Sequence, residues 1–504
     1  MHEGEVILVI QDCVELGIVA QQSGPVPHAQ PEPELKPTLG WFSAACIVAG
    51  SMVGSGIFIV SADITRTVGT GGLLIAIWAF AGLLTFLAAT SYGKLAAYMP
   101  RAGGQYVFLR EAWGEIPAFL YGWSLLTVIQ TGFLAAVAVA FTKYLSVLVP
   151  AITATPISPA VPVSWQSLVA VLVLLGLTLF NCTGIKSGAI LQNIFTTLKV
   201  LALGLLIIIG FSMGHHLWDG SINWSLVLPA AQAAKGNWLT LFAFASVGAL
   251  FSSDAWNYVT FIGGEVKAPG KSLPKALTLG TLTVIGLYLA ANLAYLNLLS
   301  LPQIMGAPED RVATAAMNTV FPGMGVLLMA GIILISTFGC LNGMLLAGAR
   351  VFYAMAKDGL LFHKFAEVHP RTHSPNFSLW MQFIWGSVLA VSGKYGQLLD
   401  YIVFATLIFY ILTMAGLLRL GRKIPQAVQM HTPLDYALPI AYMAGAAFIA
   451  FYLLFGDWFT PDYATRFAHD FYHTKFFTSI AGLGLTLLGL PVYWLWKKTR
   501  PAVI

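Results

Sequence analysis

Long uninterrupted apolar runs, such as VLALGLLIIIGF at 200–211, limit this chain more than any other feature. About 20 apolar residues in a helix match the hydrocarbon thickness of a bilayer. In that medium every backbone amide must be satisfied internally, so only helices or closed barrels can cross. Barrel strands alternate polar and apolar residues over segments of about ten, and these runs do not alternate. Of the 504 residues, 58% are hydrophobic and 9% charged, where ordinary soluble domains carry about 25% charged residues. A soluble globule is excluded, and the fold class is an all-α polytopic membrane protein set in the lipid bilayer of the cell (inner or plasma) membrane.

Twelve segments are long enough to cross. Segments 1 to 5 are expected at 40–67, 72–98, 116–149, 164–181 and 187–211. Segments 6 to 10 follow at 238–262, 276–299, 322–349, 376–392 and 398–418, and segments 11 and 12 at 436–456 and 475–496. Ahead of them, residues 1–37 collect Pro25, Pro27, Pro31, Pro33 and Pro37 and lack the basic start and unbroken apolar stretch of a secretory signal. They are expected to be a disordered cytoplasmic extension. The chain then divides into 38–213, 214–420 and 421–504: two five-helix units followed by the last two helices and a cytoplasmic C-terminus.

Lys and Arg accumulate in loops that stay in the cytoplasm. With the N-terminus inside, eighteen of the 26 basic residues fall on the inner side and six on the outer, so both termini are expected to be cytoplasmic. The other two, Lys143 and Lys199, lie within segments. Lys143, near the outer end of segment 3, has a side chain long enough to snorkel to water and receives no role. The cysteines, Cys13, Cys46, Cys182 and Cys340, are scattered without a CxxC pair, which gives neither a disulfide scaffold nor a zinc site. No metal, no cofactor and no nucleic-acid partner is expected.

Segment 1 reads GWFSAACIVAGSMVGSGIFIV, with Gly50, Gly54 and Gly56 at its middle. Each glycine costs a helix about 1 kcal/mol relative to alanine, and three together permit unwinding where the backbone lines a protein-walled cavity. The competing reading is close helix packing, because Gly50 and Gly54 are four apart. Segment 6 favours the break: Ser252, Ser253 and Asp254 interrupt an apolar helix at comparable depth. Five helices repeated after an odd number run in the opposite sense, so the pattern is a 5+5 inverted repeat with two extra helices. In such folds the interrupted helices mark a midplane substrate site.

Freed amides at the start of a half-helix suit a carboxylate, and freed carbonyls suit an ammonium. An α-amino acid offers both. Its carboxylate is expected at Ser55, Gly56 and Ile57, and its amine at carbonyls around Met52 and Phe251. Lys199, central in segment 5, is a costly buried charge and so a candidate for function. Its ammonium would brace the unwound carbonyls of segment 1 against segment 8 and offers a route to proton coupling; the alternative is a permanently hydrogen-bonded structural lysine. Asp254 either binds a cationic side chain, accepts a coupling proton or caps the half-helix that follows, the cap being preferred. Phe251 is either a gate or ordinary packing.

Five stretches, in order, resemble the amino acid-polyamine-organocation superfamily. They are GSMVGSGIF in segment 1, YMPRAGGQYVFLREAWG after segment 2, NCTGIKSGAILQNIFTTLKV through segment 5, FSSDAWNYVTFIGGEVKAPGKSLPKA from segment 6 and FGCLNGMLLAGARVFYAMAKDGLL through segment 8. The segment 5 and segment 8 stretches are similar to its L-type amino acid transporter branch, and the likeness covers about residues 39–425. It implies a LeuT-type fold and sodium-independent transport or exchange of L-amino acids. By motif position it implies that Ser55 and Gly56 receive the carboxylate and that Met52, Phe251 and Asp254 offer carbonyls to the amine. It also implies that Phe251 gates, Asn257 lines the pocket and Lys199 is the branch's segment 5 lysine. Two departures stand out. Ala255 occupies a position where many bacterial members carry glycine, and residues 150–163 contain no cysteine, so no covalent heavy subunit is expected.

Other classes fit less well. A membrane-embedded enzyme using metal or haem needs histidines inside its spans, yet all ten lie in tails and loops. A channel favours repeated filter carbonyls or rings of charge, and none recurs. The expected protein is a secondary transporter of L-amino acids, neutral ones first, with cationic amino acids or polyamines as the alternative cargo and protons as the candidate coupling ion.

Overall fold

The computed structural model describes residues 35–499 apart from 159–160, 393–394, 462, 465–466, 468–471 and 473. The expected extension at 1–37 lies outside this set except for its last three residues. Among the described residues, eight helices are long and apolar enough to cross a membrane. A ninth span is a bent pair, Trp41–Met52 and Gly56–Val68, inclined at 41° across a break of three residues. Segments 4, 6 and 9 form shorter helices, Trp165–Asn181, Trp238–Ser252 and Asn376–Ser392. The chain is therefore a polytopic helical membrane protein. Ahead of segment 4 lies a short antiparallel hairpin, Pro156–Ser158 with Val161–Ser164.

Sequence-local chemistry starts several of these helices. The Thr70 hydroxyl accepts the Leu73 amide at 3.1 Å, Ser164 accepts Ser167 at 3.1 Å and Asn237 accepts Thr240 at 2.8 Å. Each satisfies one of the amides that a helix start leaves unpaired. The Pro269–Leu298 helix of segment 7 packs against segments 1, 2 and 5, and the Met324–Lys357 helix of segment 8 packs against segments 1, 3 and 5. Segments 5, 7 and 8 thereby surround the interruption in segment 1.

At the end of segment 6 opposite its Asn237 start, irregular backbone is stitched rather than exposed. Thr38 and Leu39 donate to the Glu265 carbonyl at 2.8 and 3.0 Å, and Lys267 donates back to Leu39 at 2.8 Å. Gly103 donates to Phe261 at 2.8 Å. Beneath this knot the Glu265 carboxylate meets Arg350 at 2.8 and 3.3 Å, both side chains at most 1% exposed. With segment 8 expected at 322–349, Arg350 falls just beyond it, among the inner-side loop cations. The helix instead runs on to Lys357 and buries it, because Glu265 supplies the opposite charge from a distant part of the chain.

A buried pair stripped of one member leaves an uncompensated charge, at about 3–5 kcal/mol. Glu265→Ala is expected to lower the thermal unfolding midpoint of the detergent-purified protein sharply, and Glu265→Ala combined with Arg350→Met to recover part of the loss. Intrinsic fluorescence melting reads both.

Candidate functional site

At the interruption of segment 1, the helix hydrogen-bond ladder lapses after Val53 donates to Ala49. Five consecutive carbonyls then take side-chain donors from three other helices. Lys199 Nζ donates to Gly50 and Val53, each at 2.7 Å, and to Ser336 at 2.9 Å. Cys340 Sγ lies 3.0 Å from the Ser51 carbonyl, and Ser336 Oγ donates to Val53 and Gly54 at 3.0 Å. The Tyr288 hydroxyl sits 3.0 Å from both Met52 O and Ser252 O, so one phenol spans the two interrupted helices. Across this stretch the freed carbonyls are paired, which is the condition for unwound backbone at membrane depth.

The amides behave differently. Those of Ser55, Gly56 and Ile57, which open the second half-helix, have no acceptor among the described residues. They form a cluster of N–H groups at a positive helix end, the arrangement that receives anions. A Cβ on Gly56 would lie 2.1 Å from Ser252 Oγ and 2.7 Å from its Cβ, so segments 1 and 6 touch there and only glycine fits. Gly50 answers the packing reading: its Cβ would strike Thr196 and Gln192 of segment 5.

Segment 6 ends its helix at Ser252 and resumes only as the short turn Tyr258–Phe261. The cap on that turn is Asn257, not Asp254. This corrects the preferred reading of Asp254, whose carboxylate instead accepts the Tyr410 hydroxyl of segment 10. The chain turns too sharply for a cap here because Ala255 adopts φ +67°, a left-handed conformation in which its methyl crowds the backbone. Asn257 donates to Gln105 at 3.0 Å, while its own Oδ1 is buried with no partner among the described residues. Phe251 stacks on Phe133 with ring centres 4.9 Å apart.

The structure thus brings Met52, Ser55, Gly56, Ile57, Phe251, Ser252, Ser253, Asp254 and Asn257 to two facing interruptions, with Lys199 beneath the first. Two small cavities flank Asp254. One of about 30 Å³ is lined by Phe251, Ser253, Trp256, Thr406 and Tyr410 among others. The other, about 10 Å³, is lined by Gln105, Tyr121, Asn257 and Tyr258 among others. Each holds little more than a water, so neither has room for an amino acid in this conformation. Tyr288, Ser336, Cys340 and Tyr410 were missed from sequence. Spacing held part of the signal, since Ser336 and Cys340 are four apart and share one helix face.

These features define a polytopic helical membrane protein built around two interrupted helices that face each other at a buried polar site. Residues 39–484 match the amino acid permease family, and the chain belongs to that family. It is 30% identical to large neutral amino acids transporter small subunit 2 of Oryctolagus cuniculus, over 92% of this chain and 80% of that protein. It is 27% identical to the serine/threonine exchanger SteT of Bacillus subtilis, over 92% and 98%. To the b(0,+)-type amino acid transporter 1 of Mus musculus it is 27% identical over 77% of each.

The Ala255 geometry carries its own test. Left-handed backbone costs an L-residue about 1–2 kcal/mol, and glycine returns about 0.5–1 kcal/mol of that in chain entropy. Ala255→Gly is therefore expected to raise the unfolding midpoint slightly, by about 1 °C, in the same fluorescence melt.

Proposed function

We propose that this amino acid permease carries neutral L-amino acids by alternating access, without sodium, as an exchanger or proton-coupled symporter. Twelve spans would form a LeuT-type 5+5 inverted repeat plus two helices, both termini cytoplasmic, and one five-helix unit would rock against the other around the bound substrate. The unclaimed amides of Ser55, Gly56 and Ile57, set against the second interruption in segment 6, carry this reading. They suit the carboxylate, and opening of the site would release backbone carbonyls for the amine. The names of the relatives, a neutral amino acid transporter and a serine/threonine exchanger, support the choice of cargo.

Lys199 supports sodium independence: its ammonium already serves the carbonyls that a coordinated cation would need. Phe251, stacked on Phe133, is the proposed gate. The role is carriage rather than chemistry, and it needs no covalent heavy subunit, because residues 150–163 offer no cysteine. Asp254 favours a second cargo, cationic amino acids, since its carboxylate lines both cavities.

Proteoliposomes loaded with unlabelled amino acid should show saturable counterflow of a labelled neutral one, unchanged when choline replaces sodium. A competition panel of amino acids, run with and without a pH gradient, then separates neutral from cationic cargo and exchange from symport. Non-saturating flux would defeat the carrier reading. Gly56→Leu is expected to abolish uptake, because a side chain there collides with Ser252 of segment 6 and invades the space beside the amide cluster. Lys199→Ala should abolish or uncouple transport; kinetics identical to wild type at every pH would remove Lys199 from the mechanism.

A further inference from the structure

The loop after segment 5 holds a cluster that the transport cycle does not use. His215 Nδ1 lies 2.9 Å from Asp219 Oδ2, and His216 Nδ1 lies 3.5 Å from the same oxygen. One ligand atom from each of the three residues falls within 4.8 Å of the other two. A tetrahedral ion with bonds near 2.0–2.1 Å sets its donors about 3.3 Å apart; the two histidine–carboxylate separations lie close to that value, and an ion there would replace the hydrogen bonds that His215 Nδ1 makes with Asp219 and His216 Nδ1 makes with Ser221 Oγ, each at 2.9 Å. Two imidazoles and one carboxylate form a donor set that suits zinc and leaves a fourth position open. The Ser221 amide, 2.9 Å from Asp219 Oδ1, orients the other oxygen toward the histidines, as outer-shell partners do in metal sites. The absence of a zinc site inferred from sequence rested on cysteines, and this donor set contains none.

The position of the cluster gives it leverage. His215 and His216 both donate backbone amides to the Asn297 carbonyl at 3.1 and 3.2 Å. Leu217 donates to Asn297 Oδ1, and Asn297 Nδ2 donates to the Gly210 carbonyl, both at 2.9 Å. The cluster therefore sits on the knot that joins the end of segment 5, which carries Lys199, to the end of segment 7, which carries Tyr288.

We propose that His215, His216 and Asp219 bind one divalent transition-metal ion of zinc-like preference on the outer face, and that its binding pins segments 5 and 7 together and slows transport. The outer location and the effect on transport rest on the orientation and function proposed above; the metal site itself does not.

Cobalt(II), whose visible absorption reports tetrahedral imidazole ligation, is the direct probe. The purified full-length protein should bind one cobalt per chain, zinc should displace it, and His216→Ala should weaken binding at least about tenfold. An absent cobalt band, or one unchanged in both His216→Ala and Asp219→Asn, would overturn the site. In cells expressing the protein, external zinc should slow uptake several-fold, EDTA should restore it, and His216→Ala should transport normally and ignore zinc. Cobalt binding with zinc-insensitive uptake would overturn the pinning, and inhibition only from the cytoplasmic side would overturn the orientation. Cobalt binding in a protein that carries no amino acid would uphold the site while defeating the transport reading.

Discussion

Unwound peptide inside a membrane survives only if something else supplies the hydrogen bonds its helix gave up. Here five consecutive carbonyls, from Gly50 to Gly54, draw on Lys199, Cys340, Tyr288 and Ser336. Those donors come from segments 5, 7 and 8, and the packing of these helices around segment 1 follows from that requirement. Because the carbonyls are paired and the amides of Ser55, Gly56 and Ile57 have no acceptor among the described residues, the interruption is polar in one direction. It is quiet toward cations and open toward an anionic group.

Lys199 is the most costly of these donors. A fully buried ammonium in an apolar helix is tolerable only because three carbonyls surround it at 2.7–2.9 Å. It links segments 5, 1 and 8 at one point. Tyr288 performs the complementary task between segments 1 and 6, its single phenol facing a carbonyl on each side. The proposed rocking motion, by separating the two interruptions, would break that contact and free the Met52 and Ser252 carbonyls, beside the place where a substrate amine is expected.

Much of this was legible in the sequence. Apolar runs announced the membrane, glycines and the Ser-Ser-Asp run announced the two interruptions, and a charge at mid-depth marked Lys199. Asp254 was misjudged as a cap because local propensity favours Asp at helix starts, whereas the turn set by Ala255 delays the next helix to Tyr258. Arg350 was misjudged as a loop residue because its counter-charge, Glu265, lies 85 positions away. Tyr288 and Tyr410 gave no warning, since an aromatic in an apolar helix is usually packing.

By itself the sequence determined which medium the chain occupies, where segments 1 and 6 weaken and that Lys199 lies at membrane depth, because these depend on transfer energies and local backbone freedom that each segment carries alone. Only the tertiary structure decided which donor meets which freed carbonyl, that Gly56 rests against Ser252, and that two loop histidines converge on Asp219. Those outcomes depend on distances between residues far apart in the chain, and hydrogen bonds and close contacts exist only over a few ångströms.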